Sequence, residues 1–195
     1  MNRFVKLSEV KGLSFIGGQI TSRIEADAKK NEAAKGTVKV IPPKAIKGGK
    51  IIHEELYELA YKVDYDEKKV TQAGDIVVKL SSPYDAAYIT EADEGLLITS
   101  FCIIVRSTTR ILSPEYLTAF FNSRIYLNQV KLMVSGAQVP MLTIGKIKDV
   151  DVKLMDPEEQ DQVAEFFKNI SVKEELMAQI IQLEKEKLDS VLGGN

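Results

Sequence analysis

The sequence has one cysteine, one histidine and no tryptophan. The lone Cys102 excludes an internal disulfide. With only His53 beside it, no zinc site built from several Cys and His ligands can form. Cys102 stands in Phe101-Cys102-Ile103-Ile104-Val105 and reads as a small buried apolar side chain. His53 follows Ile51-Ile52 and reads as a partly exposed residue at a strand end; nothing supports a catalytic pair of the two. Six prolines and 12 glycines in 195 residues exclude collagen-like and low-complexity classes. Purely apolar runs are only a few residues long, such as Ile76-Val77-Val78, so no segment spans a bilayer. The stretch from Met1 to Leu7 lacks an apolar core of signal-peptide length. These absences point to a soluble, cytoplasmic protein.

Catalytic signatures are missing too. There is no glycine-rich phosphate loop. The Asn/Asp-Pro-Pro-aromatic tetrapeptide of base-flipping amino-methyltransferases is absent: Pro42-Pro43 follows Val40-Ile41 and precedes Lys44. Asp75 and Lys79 evoke a nuclease carboxylate–lysine pair, but Val77-Val78 stands where the second acid belongs. No catalytic residue, metal or cofactor is expected.

What is present suffices for a core. The chain is 45% hydrophobic and 28% charged, which fits one domain of about 150 residues with an appendage. Its net charge of −2 hides an asymmetry. Residues 1–155 hold 22 Lys and Arg against 18 acids, whereas residues 156–195 hold 4 Lys against 10 acids. Residues 21–50 are the most basic, with Arg23, Lys29, Lys30, Lys35, Lys39, Lys44, Lys47 and Lys50 against three acids. Such a run is either a solvated face or a local field for a polyanion, and an acidic whole-chain average does not decide between them.

Up to residue 155 short strand-like runs alternate with short helices, the pattern of an α/β or α+β domain with a curved mixed sheet. Strands are expected at Thr37–Ile41, Ile76–Leu80, Leu96–Ile98, Phe101–Val105, around Val139–Leu142 and at Val150–Leu154. Ser113-Pro114-Glu115 starts a helix: hydroxyl cap, proline at the first position, acid in the first turn. Asn122-Ser123 breaks it, a second helix follows to Ser135-Gly136, and Thr143 caps a short turn through Lys148.

Asp156-Pro157-Glu158-Glu159 then forms a capping box, with no Pro or Gly before Gly193. Residues 158–192 would make one helix of about 52 Å. Apolar residues recur along it at Val163, Phe167, Ile170, Met177, Ile181, Leu188 and Val191, with Leu176, Ile180 and Leu183 widening the stripe. A solvated helix does not carry such a face. It therefore pairs as a coiled coil with another copy or subunit, or folds back on its own domain.

Several segments together resemble the target recognition domain of type I restriction-modification DNA specificity subunits. They are Val5-Lys6-Leu7-Ser8-Glu9-Val10, Gly74-Asp75-Ile76-Val77-Val78-Lys79, Tyr116–Ser123, Ser135-Gly136-Ala137-Gln138-Val139-Pro140, Ile147–Val152 and Pro157-Glu158-Glu159-Gln160, in that order. The resemblance covers nearly the whole chain. It implies a recognition domain at 1–155 and a spacer helix at 156–195, hence half of a usual specificity subunit, which carries two of each. A half must pair with a second copy or belong to a longer chain. A homodimer would read a bipartite palindrome in double-stranded DNA, with half-sites at most about 15 base pairs apart. Methyltransferase (modification) subunits, and restriction subunits where present, are the implied protein partners. The alternatives are a stand-alone DNA-binding regulator or a small hydrolase. Base and phosphate contacts are expected from three loops: Lys29, Lys30, Lys35, Lys44 and Lys47; Lys79, Ser81, Ser82 and Tyr84; and Ser135, Gly136 and Gln138.

Overall fold

A computed structural model describes residues 3–27, 32–109, 111–136, 138 and 140–193. Alternating β-branched residues set the centre. Strands β7 (Ile76–Lys79) and β10 (Cys102–Ser107) pair antiparallel and are almost wholly buried. Around them β2 (Leu13–Gly17) and β8 (Ala86–Tyr88) complete a four-stranded sheet in the order β2-β10-β7-β8.

The two faces of this sheet serve different cores, as a side-chain period of two requires. Ile76, Val78, Ile103 and Val105 meet a helical layer, α1 (Pro114–Phe121) and α2 (Arg124–Val134). There Phe121 and Tyr126 meet edge to face with centroids 5.0 Å apart. Val77, Cys102 and Ile104 point the other way, against Ile41, Ile46, Ala87 and Ile98. That second core is roofed by β3 (Gly36–Ile41), β9 (Leu97–Ile98) and the hairpin β4 (Ile46–Lys47) and β5 (Lys50–Ile51).

The strands form a mixed α/β arrangement, as expected, but not the curved sheet read from the sequence. Among the described residues the strands divide into four small sheets, and the largest is antiparallel throughout. Parallel pairing within the sheets is confined to β3 and β9, in a three-stranded sheet completed by β6 (Tyr57–Tyr61). The cause is punctuation. Strands run for two to six residues before a turn stops them, as Pro42-Pro43 does after β3 and Gly48-Gly49 between β4 and β5. The segment 140–142 forms no strand.

A two-stranded sheet of β1 (Arg3–Lys6) and β11 (Asp151–Leu154) pairs Arg3 with Leu154 and Lys6 with Asp151 before the last helix begins. The short helix α3 (Ile144–Lys148), capped by Thr143, leads into it. The last helix, α4 (Pro157–Val191), runs unbroken for 35 residues, about 52 Å. At its start the Asp156 N–H donates to Glu159 Oε2 at 3.3 Å, one arm of the capping box read from the sequence. No helix among the described residues is long and apolar enough to cross a membrane.

Candidate nucleic-acid interface and pairing helix

The fold scatters the three loops chosen from sequence. Lys29 and Lys30 lie outside the described residues. Lys35 is exposed and pairs with Asp64 at 2.8 Å. Lys44 pairs with Glu55. Lys47 is exposed on β4, opposite Lys50 across the hairpin. Lys50 in turn reaches Glu175 of α4 at 2.9 Å. Lys47 and Lys50 thus belong to the hairpin flank beside the long helix, and Lys44 to the turn before it.

The second and third loops do meet. The Leu142 N–H donates to the Leu80 carbonyl at 2.8 Å, and the Tyr84 hydroxyl donates to the Pro140 carbonyl at 2.6 Å. Tyr84 is buried and holds a left-handed backbone, φ 63°, uncommon for a bulky residue. Its ring fills space beside Tyr126, and burial raises its phenol pKa. It pins the two loops together instead of presenting a stacking face. Lys79 is buried too, its ammonium 3.1 Å from Asp85. Ser81 is half-buried and Ser82 exposed. Ser135, Gly136 and Gln138 are exposed; Gly136 ends α2 at φ 82°, and the Ser135 hydroxyl donates to the Leu132 carbonyl.

Sequence reasoning missed two cations at this edge. Lys148 of α3 stands exposed, its ammonium 5.5 Å from the centre of the Phe15 ring. Lys146, two residues earlier, donates to the Met133 carbonyl at the end of α2. It also missed Phe101, which sits in the turn before β10 and is exposed.

The nuclease-like pair dissolves in the fold. Asp75, nearly fully buried, receives two hydrogen bonds of 2.7 Å from the Arg106 guanidinium and one of 2.8 Å from the Gln72 N–H. Asp75 and Lys79 therefore serve different partners. Burial drives the Cys102 thiol up to about 12, so it stays protonated and inert. His53 reaches Asp93 at 2.7 Å, and Asp93 is itself held by the Thr90 hydroxyl at 2.6 Å. No group of three or more His, Cys, Asp or Glu side chains suited to a metal occurs among the described residues.

The long helix presents two faces. Near its start Gln160 is buried and fully bonded: its Oε1 accepts from Ser113 N–H at 2.7 Å, and its Nε2 donates to the Ile111 and Met155 carbonyls at 2.9 Å each. Val163, Ala164 and Phe167 are half-buried and Ser171 is buried, all on the side turned to α1 and the hairpin. Gly49 allows this approach. It sits at φ 81°, and a Cβ there would lie 2.6 Å from the Phe167 ring. After Ser171 every described residue of the helix is exposed. Phe166, Ile170, Met177, Ile180, Ile181, Leu188 and Val191 form an uncovered stripe, displaced by roughly a quarter turn from the side that meets α1.

No protein-family model and no curated protein matches the sequence. Solved structures match its fold. The HsdS subunit from Thermoanaerobacter tengcongensis is 20% identical, with a TM-score of 0.64 over 98% of this chain and 47% of that one. A chain from a study of complex assembly and conformational transition of the type I R-M system is 19% identical, with a TM-score of 0.57 over 97% and 45%. The type I restriction-modification system S subunit from M. genitalium is 12% identical, with a TM-score of 0.51 over 98% and 43%. The chain spans slightly less than half the length of each, and over that span its fold is that of type I restriction-modification S subunits.

Proposed function

We propose that this protein is a non-catalytic DNA-specificity subunit of a type I restriction-modification system. In this reading residues 1–155 form a target recognition domain and residues 156–195 a spacer helix. The observation that carries it is the uncovered apolar stripe on the outer half of α4, in a chain matched along 98% of its length by an HsdS subunit. A twofold-related copy covers that stripe with an identical one. Antiparallel pairing of the outer halves, residues 172–191, holds the two inner anchor points about 30 Å apart, or roughly nine base pairs. The pair reads two half-sites of a palindrome, and the acidic outer faces of the helices receive modification subunits and, where present, restriction subunits.

Within each domain the reading edge consists of the joined loops: Ser81, Ser82, Ser135, Gly136 and Gln138, with Lys146 and Lys148 beside them. Hydroxyl and amide groups there meet base edges, while Lys148 and the hairpin Lys47 meet phosphates. Lys79 and Tyr84 support this edge from within. Fluorescence anisotropy on duplexes selected from a randomised library tests the reading. The expected result is a bound sequence preferred at least about 1,000-fold over random duplex, with affinity falling steeply as salt rises. Binding without sequence preference, or no binding, contradicts it.

A further inference from the structure

Phe101 is the tip of a turn that the surrounding backbone holds on every side. The Cys102 N–H donates to the Thr99 carbonyl at 2.9 Å, and the Ser100 N–H to the Gln19 carbonyl at 2.8 Å. The Phe101 carbonyl itself accepts from the Leu80 N–H at 2.9 Å, while the Leu80 carbonyl accepts from Leu142. Gly18 lies so close that a Cβ there would sit 2.0 Å from the Thr99 carbonyl oxygen, so no other residue fits without moving the turn. The chain of bonds Leu142–Leu80–Phe101 places this tip beside both loops of the reading edge.

The main chain is fixed, yet the side chain is 50% exposed. Single exposed apolar residues are ordinary on protein surfaces. This one stands out by its surroundings. Ile20, also exposed, follows Gln19 on the adjoining segment. Lys69 donates to the Gln19 side chain at 3.2 Å, and Ile144, at the start of the helix that carries Lys148, packs within 3.3 Å of where a Gly17 Cβ would lie. An apolar side chain on a fixed main chain, near an amide and an ammonium group, suits a polyanion that offers an apolar group within a polar groove. The major groove of DNA offers one such group, the C5-methyl of thymine.

We propose that Phe101 is a specificity-determining residue that packs on the C5-methyl group of a thymine in the major groove of the bound duplex. The proposal rests on the DNA-specificity reading above and adds a named contact to it. Its rigidity matters: a tip already ordered loses little freedom on binding.

The test uses the full chain and the duplex that the wild type selects from a randomised library. Each thymine of that duplex is replaced in turn by deoxyuridine, which removes one methyl group and leaves the base pair intact. At one position the wild type should lose about fourfold in affinity, the effect of one buried methyl. Phe101→Ala should bind the thymine duplex about fourfold more weakly and be indifferent to that same replacement. Phe101→Leu, which keeps an apolar tip, should retain the discrimination and serves also if the alanine variant fails to fold. Identical replacement profiles in wild type and Phe101→Ala overturn the assignment while leaving DNA specificity intact. If the wild type selects no sequence at all, the DNA-specificity reading falls, and this assignment falls with it.

Discussion

The two halves of α4 share one helix and live in different surroundings. The inner half, from Pro157 to Ser171, is fastened by Gln160 and packed on α1 and the β4–β5 hairpin. The outer half faces the hairpin across an open cleft lined by Lys47, Ile52, Glu174, Ala178 and Gln182, and reaches it through the Lys50–Glu175 ion pair, whose two partners are exposed. Both halves carry several Glu and Gln, and neither has a glycine or an interior proline to break the helix. Tertiary contact separates them. The inner half buries one side on the domain and leaves Phe166 and Ile170 at the start of the uncovered stripe. The outer half has as broad an apolar face and nothing to bury it against.

Three variants sharpen this contrast, in descending order of effect on the stability of the domain. Gln160→Ala leaves the Ser113 N–H and the Ile111 and Met155 carbonyls without their partner inside the domain, and should cost about 3 kcal/mol in urea unfolding. Gly49→Ala strains a left-handed residue and pushes against Phe167, which should cost about 2 kcal/mol and loosen the helix from the hairpin. Hydrogen exchange at residues 163–171 should then rise above that of α1. A double change in the outer half, Ile181→Lys with Leu188→Lys, should shift the domain by less than about 0.5 kcal/mol. A large loss from that last variant, at protein concentrations where the wild type is monomeric, would mean that the outer half also leans on the domain.

The inner half also shows what was readable in advance. The capping box at Asp156, the proline at the first position and the absence of breakers are local signals, and they give both ends of α4. The start of α1 at Ser113-Pro114 is equally local; the Ser113 hydroxyl accepts from the Tyr116 N–H as its cap. Gln160 sat in a recognised order of residues, yet its task was invisible, because its partners Ser113 and Ile111 lie 47 and 49 positions earlier. Sheet partition failed for the same reason. Pairings such as β1 with β11 are set by tertiary packing, which no alternation pattern specifies.

Among the proposed site residues the obstacle was burial of polar groups. Lys79 closes a run of β-branched residues and reads as an exposed strand end, but Asp85 lies six residues on and allows it to sit inside. Tyr84 reads as a loop aromatic; its hydroxyl finds Pro140 far along the chain, and the ring goes inward. Phe101 reads as the first residue of a buried strand. The strand begins one residue later, after a turn closed by Cys102 on Thr99, and that single step leaves the ring in solvent.

The most direct trial of the account is the mass of the protein in solution by sedimentation equilibrium. The wild type should sediment at about twice the 21.7 kDa chain mass at micromolar concentration, and the Ile181→Lys, Leu188→Lys variant at the chain mass with its domain still folded. A wild type that stays at the chain mass across the accessible range, or a variant that still pairs, would contradict it.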